Sequence, residues 1–131
     1  MTYDPNSEEG YRRLMALVEE MEGQTDRGVA IVGAAWVEEG LFAAIESFLH
    51  SGTQPWKRLF DISGPMSTLS AKTDLARLLG MISKVIWSDL HIIRDIRNEF
   101  AHTPQAIDFE TDEISKEVEN LKVPTPHSIR P

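Results

Sequence analysis

The sequence predicts an all-α protein, a single-domain antiparallel bundle of about five helices. Two observations carry this. Apolar residues recur at helical spacing in long segments. Those segments are bounded by capping residues at one end and by Gly or Pro at the other. β-Branched residues in the first turns of the second segment leave some strand ambiguity there, but its length favours helix.

The first helix is expected from Ser7 to about Met21. Ser7 serves as N-cap, and Glu8 and Glu9 suit the positive end of the dipole. Leu14, Leu17, Val18 and Met21 form its apolar side, and Gly23 ends it. Asp26 can cap a second helix running to about Leu49. Val29, Ile31, Val32, Trp36, Val37, Leu41, Phe42, Ile45 and Phe48 make it apolar around most of its circumference, which marks a central helix. Its Gly28, Ala30, Gly33, Ala34 and Ala35 allow close approach of a neighbour.

Pro55 to Phe60 reads as one short helical turn, and Asp61 to Met66 as a Gly-Pro loop. A third helix begins between Ser67 and Ser70 and runs to Leu79, with Leu75, Leu78 and Leu79 inward; Gly80 stops it. The fourth spans about Ser83 to Ala101, with Ile82, Ile86, Leu90, Ile93 and Phe100 on one stripe. Pro104 disfavours helix at Thr103 and should break the chain near His102. Thr111 to Leu121 reads as a short acidic last helix. The domain is expected over residues 1–122, with 123–131 a flexible Pro-rich tail.

Composition limits function. The 131 residues include no cysteine, which removes disulfides and thiol nucleophiles. No run of 18 apolar residues predicts a membrane span, and Met1 to Pro5 has no signal-peptide pattern. A cytoplasmic location is the expectation. The net charge of −8 disfavours long-range attraction to nucleic acid. His50, His91, His102 and His127 show no ligand spacing, so neither metal nor cofactor is expected, and no G-x-S-x-G elbow is present.

Most cations lie mid-chain, and one is unusually placed. At roughly 100° per residue, Arg97 falls about 40° from Ile93, between Leu90 and Phe100 on the apolar stripe. A charge there needs a partner. One reading pairs Arg97 with Glu38 or Glu39 of the second helix and makes His102 a C-terminal cap. The other makes Arg97 an anion ligand and His102 a proton carrier beside it, with Asn98 assisting. Two groups five residues apart on an unbroken helix face different ways, so this second reading needs the helix to end between them. Glu46 reads as part of a solvated stripe. Lys72 and Arg77 are candidate anion ligands near the start of the third helix, though such residues are more often solvated.

Four ordered segments resemble the mannitol operon repressor (MltR-type) family: Arg27 to Glu39, Leu59-Phe60-Asp61 through Gly64-Pro65, Ser70-Ala71-Lys72, and Ile93 to His102. The resemblance spans about residues 26 to 110. It implies a small all-helical transcriptional regulator. The last segment is also similar to the HEPN signature, in which an arginine and a polar residue precede a histidine by four to six residues. Arg97, Asn98 and His102 match it. HEPN resemblance implies a metal-independent endoribonuclease working as a dimer, with Arg97 stabilising the transition state and His102 as general acid/base.

Direct DNA reading is disfavoured, because the fourth helix is a core helix with few side chains free for a groove. The expected function is therefore a homodimeric regulator acting through protein partners. The alternative is a HEPN-like ribonuclease acting on RNA.

Overall fold

A computed structural model of the chain describes residues 7–123. They form six helices in the order α1 (Glu8–Glu22), α2 (Asp26–Phe48), α3 (Gln54–Phe60), α4 (Leu69–Leu78), α5 (Lys84–His102) and α6 (Asp112–Glu119). The expected short turn at Pro55 is a seven-residue helix, α3, which brings the bundle to six. The Pro-rich tail expected over 123–131 falls outside the described residues, apart from Val123.

Side-chain caps explain the starts. Ser7 accepts from the Gly10 amide at 3.0 Å, Thr25 from Gly28 at 3.0 Å, Thr68 from Ala71 at 3.1 Å and Ser83 from Ile86 at 3.2 Å. The second helix is thus capped by Thr25, not Asp26. Asp26 is its first residue, and its carboxylate accepts from the Phe109 amide at 3.0 Å. Asp26 serves tertiary structure because Thr25 already holds the first turn. Gly80, at φ +73°, makes the left-handed turn between α4 and α5, which other residues adopt only with strain.

α5 is the hub. It packs against α2, α4 and α6, and α2 packs also against α4. One core cluster joins Leu41 and Ile45 of α2, Leu69 and Ala76 of α4, and Leu90 of α5. A second joins Ile96 and Phe100 of α5 to Ile114 of α6. α3 is fastened by rings: Trp56 stacks on Phe60 at 4.0 Å between centroids, and Phe42 of α2 meets both. α1 touches α2 alone among the helices.

Leu78, expected inward, is 85% exposed. The inner side of α4 is set by Leu69, Thr73 and Ala76, and Leu78 lies about 200° round the axis from Ala76. The buried Thr73 hydroxyl is satisfied by donating to the Leu69 carbonyl at 2.7 Å.

α2, with a mean hydropathy of 1.6 over its most apolar window, is long and apolar enough to cross a bilayer. Its polar groups instead knit the bundle. Glu38 accepts from Lys72 of α4 at 3.1 Å, and the same ammonium donates to the Ser67 carbonyl at 3.1 Å. The Lys72 side chain is 10% exposed, so its charge depends on this pair.

Glu38→Ala should therefore lower stability by about 2 kcal/mol in urea melts. That is below the ~3–5 kcal/mol seen when a fully buried pair is broken, because Glu38 is partly solvated. Glu38→Leu with Lys72→Met should restore most of the loss, since no charge is then left unpaired. An unchanged melt for Glu38→Ala would show that the pair carries no stability.

Candidate functional site

Two features stand out: a polar strip along α5, and an apolar groove between α1 and α6.

The strip follows from spacing. Trp87, His91, Arg94, Asn98 and His102 recur every three or four residues and so share one side of α5. At its start stands Asp74 of α4. Its carboxylate accepts from the Trp87 indole at 2.8 Å and pairs with His91 Nε2 at 2.9 Å, while the two rings meet edge to face at 5.0 Å. The hydrogen bond from Trp87, then that from His91, holds the Asp74 carboxyl below its ordinary range, with His91 and Arg94 adding charge attraction. One turn on, Arg94 donates to Asp95 at 2.6 Å, and its Nε is buried without a partner among the described residues.

Arg97 departs from the apolar stripe by folding its guanidinium sideways. Nε and Nη2 both donate to the Asn98 side-chain oxygen, at 3.2 and 3.0 Å. Neither Glu38 nor Glu39 is its partner. Glu38 is engaged by Lys72, and Glu39 is exposed with no ion pair among the described residues. Arg97 thus has no carboxylate partner among the described residues. Lys72, a candidate anion ligand, is buried in its ion pair and unavailable to one. Arg77 is exposed and donates to the Ile82 carbonyl at 3.2 Å.

The expected break between Arg97 and His102 is not there. α5 continues through His102, and the Thr103 amide still donates to the Glu99 carbonyl at 3.1 Å. Pro104 stops the helix only after Thr103. The backbone therefore sets Arg97 and His102 about 140° apart around the axis. Asn98 holds the guanidinium and lies one turn before the exposed His102 on the same side of the helix.

His102 is the basic residue in the last turn of α5, beside the C-cap Thr103. A second cation reaches this end from α2: the Arg27 guanidinium donates to the Phe100 carbonyl and, at 3.0 Å, to the Gln105 carbonyl. A cation at a helix C-terminus satisfies open carbonyls and opposes the dipole. Asp89, 5% exposed, accepts from the Lys122 and Val123 amides at 2.9 and 2.8 Å, which fixes the chain beyond α6.

The groove is larger, about 610 Å³. Leu14, Leu17, Val18 and Met21 of α1 form one wall; Val118 and Leu121 at α6 form the other. Its floor is α2 and α5, through Val29, Gly33, Trp36, Ile93 and Ile96. No lining side chain carries a charge or a hydroxyl. Among the described residues no group of three metal-ligating side chains converges.

The mannitol repressor family model matches residues 54–130. This chain belongs to the mannitol repressor family. The match runs from α3 through α6 and includes the Leu59 to Pro65, Ser70 to Lys72 and Ile93 to His102 segments, while Arg27 to Glu39 precedes it. No curated protein and no solved structure matches the chain. The family membership makes this a mannitol-repressor-like regulator, and the polar strip lies on one of the matched helices.

The folded state holds the Asp74 carboxyl below its unfolded value. Its contribution is therefore present above the unfolded value, near pH 4, and lost as pH falls through the folded one. Asp74→Asn should lower stability at pH 7 and narrow its gap to wild type at pH 3, in denaturant melts at both pH values. A gap that does not narrow towards pH 3 would remove Asp74 from the acid response.

Proposed function

We propose that this family member regulates transcription by binding another protein and does not read DNA itself. The observation that carries this is the groove: a repressor-family fold with a wide apolar cleft and no free helix to enter a DNA groove. α5 is the longest helix of the matched region, yet Leu90, Ile96 and Phe100 commit one side of it to the core. α4 is ten residues long, with Leu69, Lys72, Thr73 and Ala76 buried. A recognition helix needs a face of base- and phosphate-contacting side chains open to solvent. The net charge of −8 adds a general repulsion from phosphate. By contrast, Leu14 is 54% and Val18 40% exposed on the groove wall. Apolar side chains left open around a concave surface are a mark of protein contact.

The test is co-purification from the native host with and without nuclease, using wild type and Leu14→Gln/Val18→Gln. Gln keeps helix propensity, and both positions are half-exposed, so the fold should hold. The expected result is a partner protein that survives nuclease. A complex that disappears on nuclease treatment, or an operator fragment retained by the pure protein, would overturn the proposal.

A second reading is favoured by one observation: Arg97 lacks a carboxylate partner among the described residues and is held by Asn98, one turn before the exposed His102. A guanidinium so placed can bind a phosphodiester, and a neighbouring imidazole can move the 2′-hydroxyl proton. The HEPN-like reading brings two such sets to one cleft, one from each of two copies. RNA cleavage in EDTA checks it: wild-type activity should fall at least ~100-fold in His102→Ala, the lower end for a general acid/base, and in Arg97→Ala. Equal rates for all three proteins would exclude it.

A further inference from the structure

We propose that the groove between α1 and α6 receives a basic amphipathic helix. This names the partner class of the protein-contact reading above and rests on it.

The walls give the charge. α1 carries five glutamates and two arginines, and α6 four carboxylates and one lysine. Both helices bordering the apolar floor are thus strongly acidic. A ligand that fits must be apolar where it meets the floor and cationic where it passes the walls. An amphipathic helix with Lys or Arg on its outer side presents this pattern. The reach also fits. Leu14, Leu17, Val18 and Met21 extend over two turns of α1, about 10 Å, the distance over which a docked helix presents anchors at i, i+3 or i+4, and i+7.

Other occupants fit worse. A small molecule is oriented by a few convergent polar groups. Here the Trp36 indole is the one polar side-chain group of the lining. A second copy of this chain would set its own acidic helices against these, at a net charge of −8 each. The gap is real space and not a packed seam, because α1 and α6 make no contact with each other and α1 rests on α2 alone.

The probe is a synthetic helical peptide with Leu at i, i+3, i+4 and i+7 and Lys elsewhere. Its control has Glu in place of every Lys. Binding to the full chain is followed by anisotropy of the labelled peptides. The Leu/Lys peptide should bind, with affinity falling as salt rises. The Leu/Glu peptide should bind at least ~10-fold more weakly. Leu14→Gln/Val18→Gln should weaken the Leu/Lys peptide at least ~10-fold, as removal of interface anchors does. Its helical circular dichroism should match wild type. Glu113→Gln/Glu117→Gln should weaken the peptide less and flatten its salt dependence.

Equal binding of both peptides would overturn the charge argument. Unchanged binding by Leu14→Gln/Val18→Gln would place the peptide elsewhere. A dimer in sedimentation that this variant dissolves, and that excludes the peptide, would make a second copy the occupant. The two proposals fail separately. A native protein partner that survives nuclease and ignores Leu14→Gln/Val18→Gln refutes only the groove. A complex lost on nuclease treatment refutes the protein-contact reading, even where the Leu/Lys peptide binds.

Discussion

The contact of α2 with α5 is the constraint on which the rest of the molecule depends. These are the two longest helices, and every other described helix packs against one or both, α3 through its rings on Phe42. Their meeting is stabilised at one end by Arg27, which donates from the first turn of α2 to the Phe100 carbonyl in the last turn of α5. Asp26 beside it holds the Phe109 amide and so leads the chain into α6. Further along, Glu38 reaches Lys72 and draws in α4. Asp26, Arg27 and Glu38 of an otherwise apolar helix are thus each turned to another part of the bundle. That accounts for a helix long and apolar enough for a bilayer standing at the centre of a bundle.

This arrangement also sorts the functional readings. Because one side of α5 is core, its functional chemistry is confined to the opposite strip, where polar groups stand in register over four turns. Two of these side chains meet carboxylates within the fold: His91 meets Asp74, and Arg94 meets Asp95. Arg97 is answered, among the described residues, by an amide oxygen alone. A strip so nearly neutral gives no broad field for steering nucleic acid, which is why the protein-contact reading leads and the ribonuclease reading rests on a single local constellation.

The helices were legible because their start signals are short-range. Ser7 and Ser83 cap helices that periodicity alone would place. Thr25 was overlooked for Asp26 because both are capping residues and only the tertiary bond from Phe109 separates their roles. The site was legible in part. Arg97 and Asn98 are neighbours in sequence, and the structure joins their side chains. The partner of Lys72 lies 34 residues away and the carbonyl that Arg27 reaches lies 73 away; no local pattern encodes such pairs. Asp74, Trp87 and His91 could have been found from the i, i+4 spacing of the two rings on α5, but the carboxylate between them comes from another helix. The groove was invisible in sequence because its lining residues look like ordinary core. Periodicity tells which side is apolar and not whether a neighbour covers it.

The two acidic helices are not held alike. α6 is pinned in front by the Asp26–Phe109 bond and behind by Asp89, which grips two successive amides past its end. α1 has its caps and its seat on α2, with no other helix in contact. Elements with few buried contacts are the first to open. The two walls of the cleft are therefore unequal: the α6 wall is tied at both ends, and the α1 wall rests on a single seat, so α1 is the wall expected to yield first.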